Sequence, residues 1–336
     1  MPRWENWPLE DLLDLRLCDL RLRLAGTWLE PLTDRVQEEL RARGLALKPH
    51  FWLADEWFTP EGVTGAAIPF YLAHPRLMQL ERKQMLEVEG GTRSDCLMLL
   101  RHELGHVVDF SFRLNRRRRY RELFGRASDA YPTHYRPNPR SKRFVQHLDG
   151  WYAQAHPLED FAETFACWLA PRSRWRTQYA KWPALKKLEY VDQLMAELAG
   201  KPPKWASRER PSSLPRLRRT LRTHYRRKRA HYASGFTDVY DRDLLKIFSD
   251  DPAHRKRRSA ADFLRRNRRS IRELVARWTH EYQFTLDQNL KEMTGRCREL
   301  KLRLRVSERQ AKTDFAIMLA VHTMQNLYTG EGWHAV

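Results

Sequence analysis

The chain has 336 residues, 42% of them hydrophobic and 31% charged, enough for two cored domains or one domain with a large extension. No run of about twenty apolar residues occurs, which excludes a transmembrane helix. The acidic, amphipathic start "MPRWENWPLEDLLDLRL" lacks the basic and apolar regions of a secretory signal. The net charge of +20 is unevenly divided, with 30 Lys+Arg against 27 Asp+Glu in residues 1–200 and 32 against 15 in residues 201–336. Cys18, Cys96, Cys167 and Cys297 lie far apart with no C-x-x-C pair, as expected of free thiols in a reducing, cytoplasmic location.

In chain order, helices are expected near 8–24 and 30–43, the first carrying leucines at 9, 12, 13, 15 and 17. Strand signals follow at "KPHFWLA", "AAIPFYLA" and "RLMQLER" between 48 and 82, with Pro69 marking an edge or a bulge. A helix then runs through "LLRHELGHVVDF" (99–110), with Asp95 near its start and no proline before Asn115. After a long connection, Pro157 opens a further helix in "HPLEDFAETFACWL" (156–169). Phe161, Phe165, Trp168 and Leu169 form its apolar stripe, and Cys167 reads as a small core residue. The Gly, Pro and Ser of "ELAGKPPKWASRERPSSLP" (197–215) suggest a boundary, placed at about 203. Beyond it the chain reads as helical. Leu214, Leu217, Leu221 and Tyr225 form one stripe, and Ser259 with Asp262 is expected to cap a helix bearing Phe263, Leu264, Ile271, Leu274, Val275, Trp278 and Tyr282. "FAIMLAVHTMQNLY" (315–328) reads as a buried helix, and "KLRLRV" alternates like a short strand.

The chemistry lies in His102, Glu103 and His106, an HExxH pattern. On a helix, residues i and i+4 share a face, so both imidazoles reach one ion. Glu103 sits about 100° round the axis, placed to act as general base on a water activated by that ion. A tetrahedral zinc site needs a third protein ligand. The metzincin arrangement is excluded, because Asp109 and Phe112 occupy the positions where it needs Gly and His. His134, His147 and His156 are candidates, as is a glutamate of the 156–169 helix. There Glu159 and Glu163 are four apart and share a face, so one carboxylate can bind metal while the next bonds a ligand histidine. Gly105 costs up to about 1 kcal/mol against Ala within a helix, and its missing side chain would admit close approach of a neighbouring element such as the 156–169 helix.

"HELGHVVDF" followed by "YAQAHPLEDFAETFA" resembles the gluzincin metallopeptidases, particularly the catalytic domain of anthrax lethal factor, and bacterial proteins grouped as zinc-binding metallopeptidases. The resemblance covers roughly residues 95–170. It implies zinc held by His102, His106 and Glu159, with Glu163 supporting a ligand histidine and Tyr152, seven residues before Glu159, stabilising the oxyanion. Asp109 matches the aspartate of that family's HExGHxxD helix and is expected to bond a ligand, to pair with Arg113 or to stand as a charge on the helix face. Strands before an active-site helix and then a ligand helix are the order of a zincin-like domain. The expected fold is therefore α+β, a zincin-like catalytic domain over 1–203 with a small sheet and active-site helices. A mostly α-helical basic domain follows over 204–336.

The expected activity is that of a zinc endopeptidase acting on a protein or peptide substrate. A charge of +17 over residues 201–336 attracts anions, so nucleic acid, an acidic protein and an acidic membrane surface are all candidate partners. "RRRRYR" (116–121) either meets acidic substrate near the cleft or solvates the end of the HExxH helix. The competing reading is a basic nucleic-acid-binding protein with a structural or vestigial zinc site, or a protease acting on nucleic-acid-bound proteins. Glu103 favours the peptidase, because a structural site needs no base beside an open position.

Overall fold

The computed structural model describes residues 3–132, 134–232, 240–329 and 334–335. The chain divides into two compact units, one made of residues up to Gln84 with Val88–Arg226, the other of Met85–Glu87 with Arg227–Ala335.

The first unit opens with α1 (Leu9–Asp14), much shorter than the leucine pattern suggests. Its continuation is taken over by tertiary pairing. The Leu17 N–H donates to the Arg219 carbonyl at 3.0 Å and the Cys18 N–H to that of Leu217 at 2.9 Å. A 3₁₀ turn, Leu17–Leu20, replaces the helix and still buries Leu17 and Leu20. The next helix, α2 (Glu30–Ala42), carries proline in its first turn and buries Leu32, Val36 and Leu40.

Strands β1 (His50–Ala54) and β2 (Gly65–Pro69) run parallel, in register from His50 opposite Gly65 to Ala54 opposite Pro69. Only glycine fits at 65, where a Cβ would lie 2.2 Å from the His50 carbonyl oxygen. β2 ends at Pro69, and Phe70–Ala73 turn as a 3₁₀ helix. On the other side of β2 the Ala67 N–H donates to the Phe58 carbonyl at 2.9 Å, an antiparallel bridge that fixes the segment after β1. The third expected strand is instead part of helix α3 (Pro75–Met85). Leu77 and Leu80 are both buried, and their spacing of three suits a helix better than an alternating strand.

Helix α4 (Arg93–Phe112) is capped by Thr92, whose hydroxyl accepts the Asp95 N–H at 3.2 Å, and is buried from Leu99 to Phe112. Short α5 (Arg118–Phe124) follows. Helix α6 (Pro157–Leu169) is buried from Glu159 to Leu169, and α7 (Trp175–Gln178) and α8 (Leu185–Leu198) come next. Gly105 of α4 meets α6 so closely that a Cβ there would lie 2.6 Å from the Ala162 Cα.

The expected cut near 203 falls inside this unit. The Thr64 N–H donates to the Ser207 carbonyl at 2.9 Å and the Trp52 indole to the Pro211 carbonyl at 3.0 Å. The N–H groups of Lys204 and Trp205 both donate to the Ser111 carbonyl, at 2.9 and 3.0 Å. The Pro- and Ser-rich stretch is therefore a strap across the unit, and the division comes within α9 (Leu221–Tyr232). Part of the basic charge moves with it, since residues 201–226 carry 9 Lys+Arg against 1 Glu.

The second unit holds α10 (Asp241–Ile247), α11 (Ala260–Thr279), α12 (Gln283–Glu299) and α13 (Glu308–Thr329) around Leu244, Phe263, Leu290 and Phe315. "KLRLRV" contributes two strand residues, Arg303–Leu304, antiparallel to Phe248–Ser249. Two expectations are corrected here. Trp278 is 71% exposed and Leu274 lies at the surface, one turn before it and off the buried face. Ile317 and Val321 of α13 are exposed as well, so that helix is not buried all round. Among the described residues no helix is long and apolar enough to cross a membrane.

Candidate metal centre

The geometry of this site begins with two buried helices held at glycine distance. α4 presents His102 and His106 from successive turns, and α6 presents Glu159 from its first turn. One ligand atom from each lies within 4.8 Å of the others. Glu159 Oε2 is 2.9 Å from His102 Nε2 and 3.3 Å from His106 Nε2, and the two Nε2 atoms are 3.2 Å apart. Zinc held tetrahedrally at about 2.0–2.1 Å sets ligand–ligand edges of roughly 3.3 Å. Two imidazoles and a carboxylate are a donor set suited to that ion.

Partners outside the triangle orient these donors. His102 Nδ1–H donates to Glu163 Oε1 at 2.8 Å, which leaves Nε2 as the nitrogen that faces Glu159 and would bind a metal once deprotonated. The other oxygen of Glu163 accepts the backbone N–H groups of Leu148 at 2.8 Å and His147 at 3.3 Å. Burial disfavours charge on His102, but the carboxylates of Glu159 and Glu163 outweigh it and hold its pKa well above the ordinary range. Burial likewise opposes an ionised Glu159, yet His106 and His102 hold it well below the usual carboxylate range.

A cavity of about 180 Å³ opens over the triangle, lined by His102, His106, Glu159 and also by Glu103. The Glu103 carboxyl is pushed upward by burial, against the pull of His106, His102 and a hydrogen bond from Thr59. The Thr59 hydroxyl donates to Glu103 Oε2 at 2.7 Å. Trp57, Phe58 and Thr59, the segment bridged to β2, form one wall.

Tyr152 lines the same cavity, its ring centroid 5.6 Å from that of His102. Gly150 and Trp151 just before it are both left-handed, with φ of 73° and 56°, and this turns the chain so that Tyr152 reaches the site. Trp151 adopts that region at a cost of about 1–2 kcal/mol.

The remaining candidates lie elsewhere. His156 caps α6, its Nδ1 accepting the Leu158 N–H at 3.2 Å. His147 Nε2 donates to the Met98 carbonyl at 3.0 Å. The side chain of His134 lies outside the described residues. Asp109 bonds neither a ligand nor Arg113: it accepts the Asn115 N–H at 2.8 Å and the Tyr120 hydroxyl at 3.0 Å, tying down the chain that leaves α4. Burial pushes its carboxyl up to about 7. Part of the arginine block is spent internally, with Arg117 on Glu197 and Arg118 and Arg119 on Glu122.

Two lining residues carry no signal in the sequence. Thr59 precedes a proline in a loop, and Tyr131 sits in the long connection, where its hydroxyl donates to Glu159 Oε1. Neither stands at a motif spacing from the histidines.

Residues 79–194, which contain α4, α6 and all three converging side chains, match the family described as "Putative zinc-binding metallo-peptidase". No curated protein and no solved structure gives a match. The likeness to the lethal factor catalytic domain therefore rests on the motifs alone. The matched region and the His102–His106–Glu159 cluster together suggest a zinc-dependent metalloprotease.

Proposed function

We propose that the protein is a zinc-dependent endopeptidase, with His102, His106 and Glu159 as ligands and Glu103 as general base. The observation that carries this reading is the shared cavity. The three converging donors and a buried carboxylate from the same helix face one space, open enough to admit a substrate group. A purely structural site has no use for that opening or that carboxylate.

Zinc bound there supplies Lewis-acid chemistry, polarising a peptide carbonyl and acidifying a water molecule. Glu103, which lines the same cavity as the three donors, would take the water's proton. The same carboxyl then delivers the proton to the leaving amine. Tyr152 donates its hydroxyl to the oxygen that gains negative charge, and Glu163 keeps His102 in the tautomer that points a lone pair inward. The zincin-like arrangement expected of the region fits this division of labour, with α4 and α6 supplying ligands and the strand-bridged 57–59 segment walling the cleft.

The test pairs metal analysis with cleavage. Purified protein should hold one zinc per chain, and Glu159→Ala should lose it. Glu103→Gln should keep the ion and abolish cleavage in a proteome-wide comparison with wild type. Zinc retained in full by Glu159→Ala, or cleavage at the wild-type rate by Glu103→Gln, refutes the assignment.

A further inference from the structure

We propose that Tyr131 is a positioning residue for the metal site, a hydroxyl that holds Glu159 to one-oxygen ligation. This inference rests on the metal-site reading above and adds a residue outside the HExxH and glutamate-helix motifs.

The two oxygens of Glu159 face different partners. Oε2 points to both histidine nitrogens, at 2.9 and 3.3 Å, while Oε1 accepts the Tyr131 hydroxyl. A free carboxylate offers both oxygens to a cation and exchanges between one- and two-oxygen binding. A donor fixed on Oε1 removes that freedom and leaves Oε2 as the ligand atom.

The placement of Tyr131 is built into the chain. Its ring stacks on the His156 ring, with centroids 4.5 Å apart and planes at 29°. His156 is anchored twice, as the cap of α6 and by a bond from its Nε2 to the Asp129 carbonyl at 3.1 Å. The cap of the ligand helix thereby fixes the loop that carries Tyr131. The helix that presents Glu159 thus also positions the group that locks it. Tyr131 is 47% exposed, so its ring is not a core element whose loss would unfold the unit.

The test uses Tyr131→Phe in the full chain, which keeps the ring and its stacking on His156. Zinc affinity is measured by competition with a chromophoric chelator, and the visible absorption of the Co²⁺-loaded protein reports coordination number. The expected result is affinity about 10–100-fold weaker, with weaker cobalt bands as the released Oε1 joins the ion and four-coordination gives way to five. Affinity within twofold of wild type overturns the inference and leaves the metal site standing. So does weaker affinity with unchanged cobalt bands, which marks general loosening. Failure of wild-type protein to hold either ion refutes both readings.

Discussion

The Thr59 hydroxyl lies 2.7 Å from Glu103 Oε2 and 3.3 Å from the Glu103 carbonyl oxygen, so one side chain braces both ends of the residue proposed as the base. It comes from the segment held to β2 by the Phe58–Ala67 bridge, which ties the small sheet to the orientation of a carboxylate on α4. Burial raises the Glu103 pKa and the Thr59 bond restrains the rise.

Thr59→Val keeps the shape and removes the hydroxyl. The loss of a hydrogen bond to a charged group costs on the order of 1.5–3 kcal/mol, a cost that falls on the ionised form of Glu103 and so should lower cleavage most on the acid side of the pH profile. The sign of the pH effect follows from the restraint: without the hydroxyl, Glu103 stays protonated to higher pH. The acid limb of the kcat/KM profile should therefore move upward, and Thr59→Ser should restore it. An unmoved limb would show that Thr59 does not tune Glu103.

Gly105→Ala sets two effects against each other. Alanine favours an isolated helix by up to about 1 kcal/mol, but here its Cβ would meet the Ala162 Cα at 2.6 Å and the Ala162 carbonyl oxygen at 3.0 Å. Both are backbone atoms of a buried helix, so α6 must shift, at about 1–3 kcal/mol. The expected outcome is a lower melting temperature together with weaker zinc binding, because α6 carries Glu159. A more stable variant would mean that the interhelical contact is looser than this.

Glu163→Gln probes the His102 orientation. The amide oxygen can serve the Leu148 and His147 N–H groups, but the amide nitrogen cannot accept the His102 Nδ1 proton. Zinc affinity should fall about 10–100-fold with little change in fold, as judged by circular dichroism of the metal-free chain. Undiminished affinity would remove Glu163 from the site.

Tyr152→Phe separates an oxyanion donor from a packing residue. Removing one such donor costs about 10²–10³ in turnover. The variant should lose kcat while its zinc content and melting temperature stay near wild type. Full activity would sink the role, and a clear loss of stability would assign Tyr152 to packing instead.

The legible part of this site was the part carried by helical periodicity. His102 and His106 at i and i+4 follow from 3.6 residues per turn, whereas the choice of Glu159 over the nearby histidines comes from the family resemblance, and the structure brings all three together on two touching helices. Thr59 and Tyr131 were illegible because they reach the cavity through loops, whose course depends on contacts distant in sequence. The parts of the fold that differ from expectation do so for the same reason. α1 stops early because residues 217–219 capture the backbone of Leu17 and Cys18. The expected boundary at 203 became a strap because its carbonyls and amides meet Thr64, Trp52 and Ser111. Local composition reads a Pro- and Ser-rich stretch as a linker whether or not it finds partners.

The second unit holds a buried carboxyl of its own. Glu281 is buried just after α11, its Oε1 accepting the Tyr282 N–H at 2.9 Å. Burial pushes its carboxyl from an ordinary 4.5 up to about 7, against the Tyr282 backbone bond and a bond from Thr285. The folded state therefore holds this proton more tightly than the unfolded state does. The stability it contributes is fully present below about pH 4.5 and is lost as pH rises through about 7, up to about 3 kcal/mol in all. Glu281→Gln is neutral throughout, and its amide oxygen still accepts the Tyr282 N–H. Between pH 5 and 8 the variant should therefore lose less stability than wild type, and above pH 7 it should be the more stable of the two. Thermal melts of both proteins across that range decide the matter. Parallel curves would mean that Glu281 ionises in the folded chain much as it does in water.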